Sequence, residues 1–326
     1  MSRIGVGLIG VGHHGTRYAR HIVADAPGLQ LVAIARRNVE AARPLADEVG
    51  CLAFADYREM IAHPSVEAVI AVVPPTLHLP IVEAAAASKR ALLLEKPAAA
   101  SLADGRRMLD IVRRAGIDVM VAQTLRYSEV VRTILDARPR IGAIHALRLS
   151  QRFEPSRPGW IDDPAIAGGG IILHTGVHSF DLMRFLSGME ADRVSCEVAA
   201  VNTTRTEDNF SATIRLNGGQ ALACVAGSRA TASRSGPIEL AGERGQLVGD
   251  HVFGTVHFVE GGKATPLPVP PALPTVREVV RDFARVLNAR LPMPIPLEEG
   301  LRAVALAQAC YQSARTGAPA AVERIE

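Results

Sequence analysis

Lysine is scarce here: only Lys89, Lys96 and Lys263 among the 36 lysine and arginine residues. Lys96 stands out by its neighbours, since Ala91-Leu92-Leu93-Leu94 leads straight into Glu95-Lys96-Pro97. Arginine keeps its proton, whereas a partly buried lysine can shift its pKa and share in proton transfer. The second reactive group is His174, His178 and Asp181, spaced i, i+4 and i+7 after the glycines Gly168, Gly169 and Gly170. On an α-helix that spacing turns all three one way, with Leu173, Val177, Phe180 and Met183 on the apolar side. Histidine titrates near neutrality, which suits reversible removal of a hydroxyl proton while a hydride leaves the same carbon. Two plainer readings compete: a His-x-x-x-His metal pair, for which no further ligand is evident, and a buried structural pair. The third group is Gly10-Val11-Gly12-His13-His14-Gly15, where a glycine turn opens a helix and can receive a diphosphate.

These groups need elements to position them. Ile4–Ile9 reads as a strand, and Tyr18, Ala19, Ile22 and Val23 mark the helix after the glycine turn. A second strand, Leu29 to Ala35, ends in Arg36-Arg37. An NAD enzyme places an acid near here for the ribose 2′-hydroxyl, whereas arginines suit a 2′-phosphate, so NADP is expected over NAD. A helix from Val39 to Val49, a short strand around Leu52 and a helix after Asp56 follow. Ala68–Val73 is another buried strand, stopped by Pro74-Pro75, with Thr76 placed to cap the helix running to Ala87. Ser101 caps a further helix, and Asp118 to Ala122 forms the last strand. Repeated strand–helix units of this length imply a doubly wound parallel sheet, a Rossmann domain over residues 1–122.

Residues 123–326 read as an α+β domain. A helix near Val130–Ala137 and a strand from Ala143 to Arg152 lead to the loop Glu154–Pro164, which holds the sole tryptophan, Trp160. That loop is either a lid over the substrate or nicotinamide, or a surface loop anchored by its own aromatic residue. From Ala191 long alternating runs, with Asn217-Gly218-Gly219 as a hairpin turn, predict a largely antiparallel open sheet with one face covered by helices. Two helices close the chain, about Val276–Ala289 and Leu297–Thr316.

Composition narrows the function classes. A net charge of +3 without a block of like charge argues against a nucleic-acid partner, and no apolar run reaches membrane-spanning length. Cys51, Cys196, Cys224 and Cys310 lie far apart within apolar patterns, as expected for reduced core thiols of a cytoplasmic protein. The N-terminus lacks the pattern of a secretory signal.

Gly10-x-Gly12-x-x-Gly15, Pro74-Pro75-x-x-His78 and Glu95-Lys96-Pro97, at these spacings, resemble the Gfo/Idh/MocA family, which includes glucose–fructose oxidoreductase and inositol dehydrogenases. The resemblance implies that Lys96 lies by the nicotinamide and the substrate hydroxyl, with Glu95 on the cofactor side. It extends the cofactor set to His13, His14, Pro74, Pro75, His78 and Gln123, beside Gly10, Gly12, Gly15, Arg36 and Arg37. Gln123-Thr124-Leu125-Arg126-Tyr127 resembles the family stretch that enters the second domain, making Arg126 a substrate contact. His178 matches the family's acid/base histidine, while His174 stands where the family carries aspartate. A histidine there cannot stabilise a charged His178 as a carboxylate would. The implied function is hydride transfer between a nicotinamide dinucleotide and a secondary alcohol or carbonyl of a sugar or polyol. His178 and Lys96 would be catalytic, with Arg126, Trp160, His174 and Asp181 on the substrate. The rivals are a member with other chemistry, such as imine reduction, and a cofactor-binding sensor without catalysis. Family members commonly pair through the open sheet face, so a homodimer or homotetramer is expected.

Overall fold

The computed structural model describes residues 3–155 and 159–326 and divides into two compact units. The first comprises residues 1–124 and 274–301; the second, 125–273 and 302–326. Ser156, Arg157 and Pro158, part of the tryptophan loop, lie outside the described residues.

In the first unit the strands are β1 (Ile4–Ile9), β2 (Leu29–Ala35), β3 (Leu52–Phe54), β4 (Ala68–Ala71), β5 (Ala91–Leu94) and β6 (Val119–Val121). They alternate with α1 (His13–Asp25), α2 (Arg43–Val49), α3 (Tyr57–Ala62), α4 (His78–Ala87) and α5 (Leu102–Ala115). All six strands run parallel in the order β3-β2-β1-β4-β5-β6. The chain therefore reverses its winding between β1 and β4, and in such sheets ligands bind beyond the strand ends at that switch point. Continuous apolar runs make this possible: every residue of β4 is buried, and Leu92, Leu93 and Leu94 of β5 are wholly sealed. Each such leucine contributes about 2 kcal/mol by leaving water. Ser101 caps α5 as expected, its hydroxyl accepting from the Asp104 N–H at 3.1 Å. Thr76 does not take the expected capping position; it lies inside the 3₁₀ turn Pro75–Leu77, and Leu77 precedes α4. Val23, read with the apolar face of α1, is exposed.

The unit is completed from far along the chain, because the helix Thr275–Ala289 packs on α1. Its stripe of Val276, Val279, Val280, Phe283 and Val286 is buried. Arg281 Nε donates to the Asp25 carbonyl at 3.0 Å and Asn288 Nδ2 to the Gly28 carbonyl at 3.2 Å. Residues 274–301 thus cluster with the first unit, whereas a single division at 122/123 assigns them to the second.

The second unit is built from α6 (Glu129–Ala137), β7 (Ile144–Arg152), α7 (Pro164–Ala167), α8 (Val177–Ser187), β8 (Ala191–Ala199), β9 (Asn209–Leu216) and β10 (Ala221–Ser228). Then come β11 (Pro237–Gly242), β12 (Gly245–Asp250), β13 (Thr255–Glu260), β14 (Lys263–Pro266) and β15 (Ala320–Ala321). Nine strands lie in the order β14-β13-β12-β11-β7-β10-β9-β8-β15, antiparallel except for β7 against β10. The reading of a largely antiparallel open sheet holds, and the Asn217–Gly219 turn joins β9 to β10. Strands β13, β14 and β15 extend the sheet beyond the runs read from the sequence. One sheet face carries the core, including Leu147, Leu149, Ile214, Val225 and Leu240. On the other, Arg148, Cys224, Thr213 and Ser195 form an exposed row across four strands. Cys224 is therefore no core thiol, whereas Cys196 and Cys310 are buried and Cys51 partly so; all four are free. Among the described residues no helix is long and apolar enough to cross a membrane.

Candidate active site

In the first unit the three glycines do different work. Gly10 has φ +88°, and a Cβ there would meet the Val72 carbonyl oxygen at 2.2 Å. At Gly15 a Cβ would stand 1.8 Å from the Gly10 oxygen, so α1 rests directly on the turn. A Cβ at Gly12 would meet nothing within 4 Å. Gly12 also precedes α1 without a side-chain cap, and no acid occupies the first turn. The first-turn N–H groups and the positive end of the helix dipole are left for an anion. These residues fit a dinucleotide diphosphate.

Beside the turn is a cavity of about 380 Å³ whose polar lining includes His13, Thr16, Arg36 and Glu48. The Arg36 guanidinium is held against the Val11 and Ala41 carbonyls at 3.4 and 3.3 Å. Arg37 is exposed and does not line this cavity. Glu48, on α2, supplies an acid that a search of the β2 end alone misses.

The β4 and β5 ends form the next part of the site. Pro74-Pro75 turns the chain into α4, whose first residue, His78, is fully buried and bonds the Ala98 carbonyl through Nδ1 at 3.0 Å. Burial lowers the His78 pKa against the pull of that carbonyl and of Glu95. Its observed part is therefore to tie the Pro-Pro turn to the segment after Lys96-Pro97, a cis peptide. Glu95 is buried too, and its carboxylate is shared. Oε1 accepts from the Tyr18 hydroxyl at 2.6 Å and faces His14 Nε2 at 2.8 Å, while Oε2 accepts from the Lys96 N–H at 2.9 Å. Burial pushes this carboxyl up, but the His14 hydrogen bond and charge, with Lys96 and Tyr18, hold it below the ordinary value. Burial and Glu95 together raise the Tyr18 phenol well above its own. Tyr18, read from sequence only as a core aromatic, is the link that was missed. Lys96 is half-buried. Gln123 is buried with its Oε1 lacking a hydrogen-bond partner among the described residues, the kind of atom a ligand N–H satisfies.

In the second unit the glycines set the start of the histidine helix. The Gly170 N–H donates to Glu207 Oε2 and to the Tyr311 hydroxyl at 3.2 and 3.1 Å, and the Ile172 N–H to Glu207 Oε1 at 3.0 Å. Tyr311 also donates to that carboxylate at 2.8 Å. A Cβ on Gly170 would lie 2.1 Å from the Glu207 carbonyl oxygen. Burial raises the Glu207 pKa, although these donors pull it down. Residues Ile172–Gly176 then wind as a π-helix before α8 begins. A π turn carries extra residue length, takes His174 out of α-helical register with His178, and often marks a functional site.

The three side chains read as one face consequently meet different surroundings. His174 is buried, with Nε2 bonded to the Ala167 carbonyl at 3.0 Å and its ring set edgewise to Trp160 at 5.6 Å. Asp181 is buried and takes two hydrogen bonds from Arg126, at 2.6 and 2.8 Å. The Arg126 guanidinium also lies over the Phe185 ring. Asp181 and Arg126, expected to contact substrate, are thus engaged with each other. Within the unit, His178 alone escapes full burial between Gly169 and Arg184. Trp160, partly exposed, is carried on the turn Gly159–Asp162. Asp162 clasps that turn to the loop before β9, accepting from the N–H groups of Thr204, Arg205 and Thr206 and both threonine hydroxyls. Sequence spacing carried no sign of the Asp162 clasp or the Glu207 cap, because both join distant segments. No three His, Cys, Asp or Glu side chains converge as a metal-binding group among the described residues.

A model of the oxidoreductase family NAD-binding Rossmann fold matches residues 4–123, and one of the same family's C-terminal α/β domain matches residues 137–322. The chain belongs to the Gfo/Idh/MocA oxidoreductase family. Among its Gfo/Idh/MocA relatives, an uncharacterized oxidoreductase, YrbE, of Bacillus subtilis is 26% identical over 99% of this chain and 98% of its own. The myo-inositol 2-dehydrogenase of Thermotoga maritima is 27% identical over 76% of this chain and 75% of its own. The crystal structure of a levoglucosan dehydrogenase with NADH and L-sorbose superposes with a TM-score of 0.90 at 23% identity, over the full length of both chains. The chain is thus an NAD(P)-dependent oxidoreductase of the Gfo/Idh/MocA family.

Proposed function

We propose that this protein interconverts a secondary alcohol and a carbonyl on a sugar or polyol, with His178 as the acid/base. The observation that carries the reading is that His178 is the one polar side chain of α8 that is not fully buried. A bound nicotinamide supplies the hydride acceptor or donor. His178 removes the hydroxyl proton in oxidation and returns it in reduction, a task suited to imidazole near neutral pH. Lys96 polarises the same oxygen or shares its proton, and its N–H bond to Glu95 orients the segment that carries it. His174 and Asp181 act behind the site, through Trp160 and Arg126 respectively. The polyol assignment is supported by the Thermotoga relative, named a myo-inositol 2-dehydrogenase. NADP is the favoured cofactor because Arg36 and His13 line the cavity beside the turn, with Arg37 exposed nearby. Glu48 in that lining favours a ribose hydroxyl instead, so the two cofactors must be compared directly.

The test is turnover on a panel of sugars and polyols, followed by nicotinamide absorbance, with NADP and NAD titrated separately. Lys96→Ala and His178→Ala should each lose about a hundredfold or more in kcat, within the range of general acid–base catalysis. Unchanged turnover in both variants would end the mechanism, and tighter binding of NAD would remove Arg36 and Arg37 from the cofactor assignment.

A further inference from the structure

The histidine helix is apolar on almost every side: Ile172, Leu173, Val177, Phe180, Leu182 and Met183 are all buried. A helix sealed all round gains nearly the same apolar burial in neighbouring rotations about its axis, and a π turn can absorb a one-residue slip. The fastening by Glu207 and Tyr311 holds only the start of the segment. Past it, two hydroxyls reach the sheet. Thr175 Oγ1 accepts from Arg229 Nε and Nη2 at 3.1 and 2.8 Å, and Ser179 Oγ accepts from Gln151 Nε2 at 3.0 Å. We propose that these two buried polar pairs set the rotational register of the histidine helix, which makes Arg229 and Gln151 positioning residues for His178. The proposal rests on the acid/base reading of His178 and goes beyond it, to what aims the ring.

The spacing of the parts fits this role. Thr175 and Ser179 are four residues apart and bracket His178, which comes three residues after the first and one before the second. Gln151 belongs to β7, and Arg229 directly follows β10. These strands run parallel with Gln151 opposite Gly227, so Arg229 lies two residues beyond the partner of Gln151. At Gly227 the helix rests close on the sheet: a Cβ there would stand 2.6 Å from the Phe210 ring and 3.2 Å from Ile171 Cδ1. Thr175, Ser179 and Gln151 are buried. Burial brings the Arg229 pKa down to about 10 against the upward pull of Glu207. The guanidinium is therefore still charged near neutrality, and its bonds to Thr175 are charge-assisted.

Directional bonds discriminate where apolar contact does not. A one-residue slip carries both hydroxyls off their donors and strips a guanidinium and an amide of these bonds inside the protein. The hydroxyls can turn back to carbonyls of their own helix, so the loss falls on Arg229 and Gln151. The same slip puts His178 where Val177 or Ser179 now lies, and both of those positions are sealed. Buried polar pairs add little stability over apolar packing of the same shape, and their best-attested use is to specify register. A positioning role thus predicts that replacing both pairs by apolar groups spares stability and disturbs His178; a merely structural role predicts the reverse.

The decisive variant of the full chain combines Thr175→Val, Ser179→Ala, Arg229→Met and Gln151→Leu. Its urea midpoint should stay at or above that of wild type. Its kcat on a sugar or polyol that wild type turns over should fall by up to about a hundredfold, the scale of a catalytic group misplaced by an ångström. Dinucleotide affinity should not change, because the glycine turn belongs to the first unit. A second readout needs no substrate: modification of His178 by diethyl pyrocarbonate, followed by peptide mass, should slow severalfold as the ring turns into a sealed position. Thr175→Ser keeps the acceptor and should keep wild-type values. Wild-type kcat and His178 reactivity in the fourfold variant overturn the proposal, as does a Thr175→Ser variant as impaired as Thr175→Val. If the fourfold variant does not fold, Thr175→Val and Ser179→Ala singly give the same two readouts, and unchanged values in both overturn it. Undiminished turnover in His178→Ala would instead remove the acid/base reading, while the modification rate would still report whether the polar pairs hold that ring.

Discussion

Arg126 and Asp181 show what a pair of side chains does that spacing alone does not reveal. Both were candidates for gripping substrate, yet their side chains are 11% and 2% exposed and bond in parallel. A buried ion pair of this form adds little net stability over an apolar pair, but removing one partner strands a charge. Asp181→Ala should therefore lower unfolding stability by about 3–5 kcal/mol, while the double change Arg126→Met with Asp181→Leu recovers most of it. Urea unfolding of the three proteins checks this. If the single variant is as stable as wild type, the pair is not the buried contact described here.

At the level of elements, the histidine helix is fastened at its amino end by Glu207 and Tyr311, and the π turn lies just beyond that fastening. The arrangement fixes where His178 emerges. It also has a pH signature, because burial raises the Glu207 carboxyl above its ordinary value. A carboxyl raised on folding favours the protonated native state, so its contribution is complete below the unfolded value and is lost as pH rises through the folded one. Glu207→Gln removes this titration. Its stability relative to wild type should improve as pH rises from the ordinary glutamate value, about pH 4.3, through the raised folded-state value, and level off beyond it. Urea midpoints of both proteins across that interval test the sign, and a variant that loses ground with rising pH would contradict it.

At the scale of the whole molecule, the nine-stranded sheet leaves a face whose row of Arg148, Cys224, Thr213 and Ser195 is exposed, with Leu222 on the same strand side as Cys224 54% exposed. We expect this face to pair with a second copy. Light scattering should then give two or four times the 34.6 kDa chain mass. Thr213→Arg, within that exposed row, should reduce that mass to one chain without a change in unfolding midpoint. A wild-type monomer at micromolar concentration would dispose of the pairing.

The amino-acid sequence by itself determined the Rossmann half, because a parallel sheet buried on both faces writes itself as apolar runs, and its turns must use glycine and proline. It also marked Lys96 and His178 as the reactive candidates, and it placed the open antiparallel sheet by alternation. Only the tertiary structure decided that Thr275–Ala289 completes the first unit and that His174 and Asp181 are sealed while His178 is not. The reason is physical: periodicity reports which side of an element a residue occupies, but exposure is set by what packs there. Here that is α1 for one helix, and Arg126 for the Asp181 side chain, both distant in sequence, with Trp160 and Ala167 reaching His174 from the preceding loop. The π turn adds its own break, since it changes the period on which the sequence reading relied.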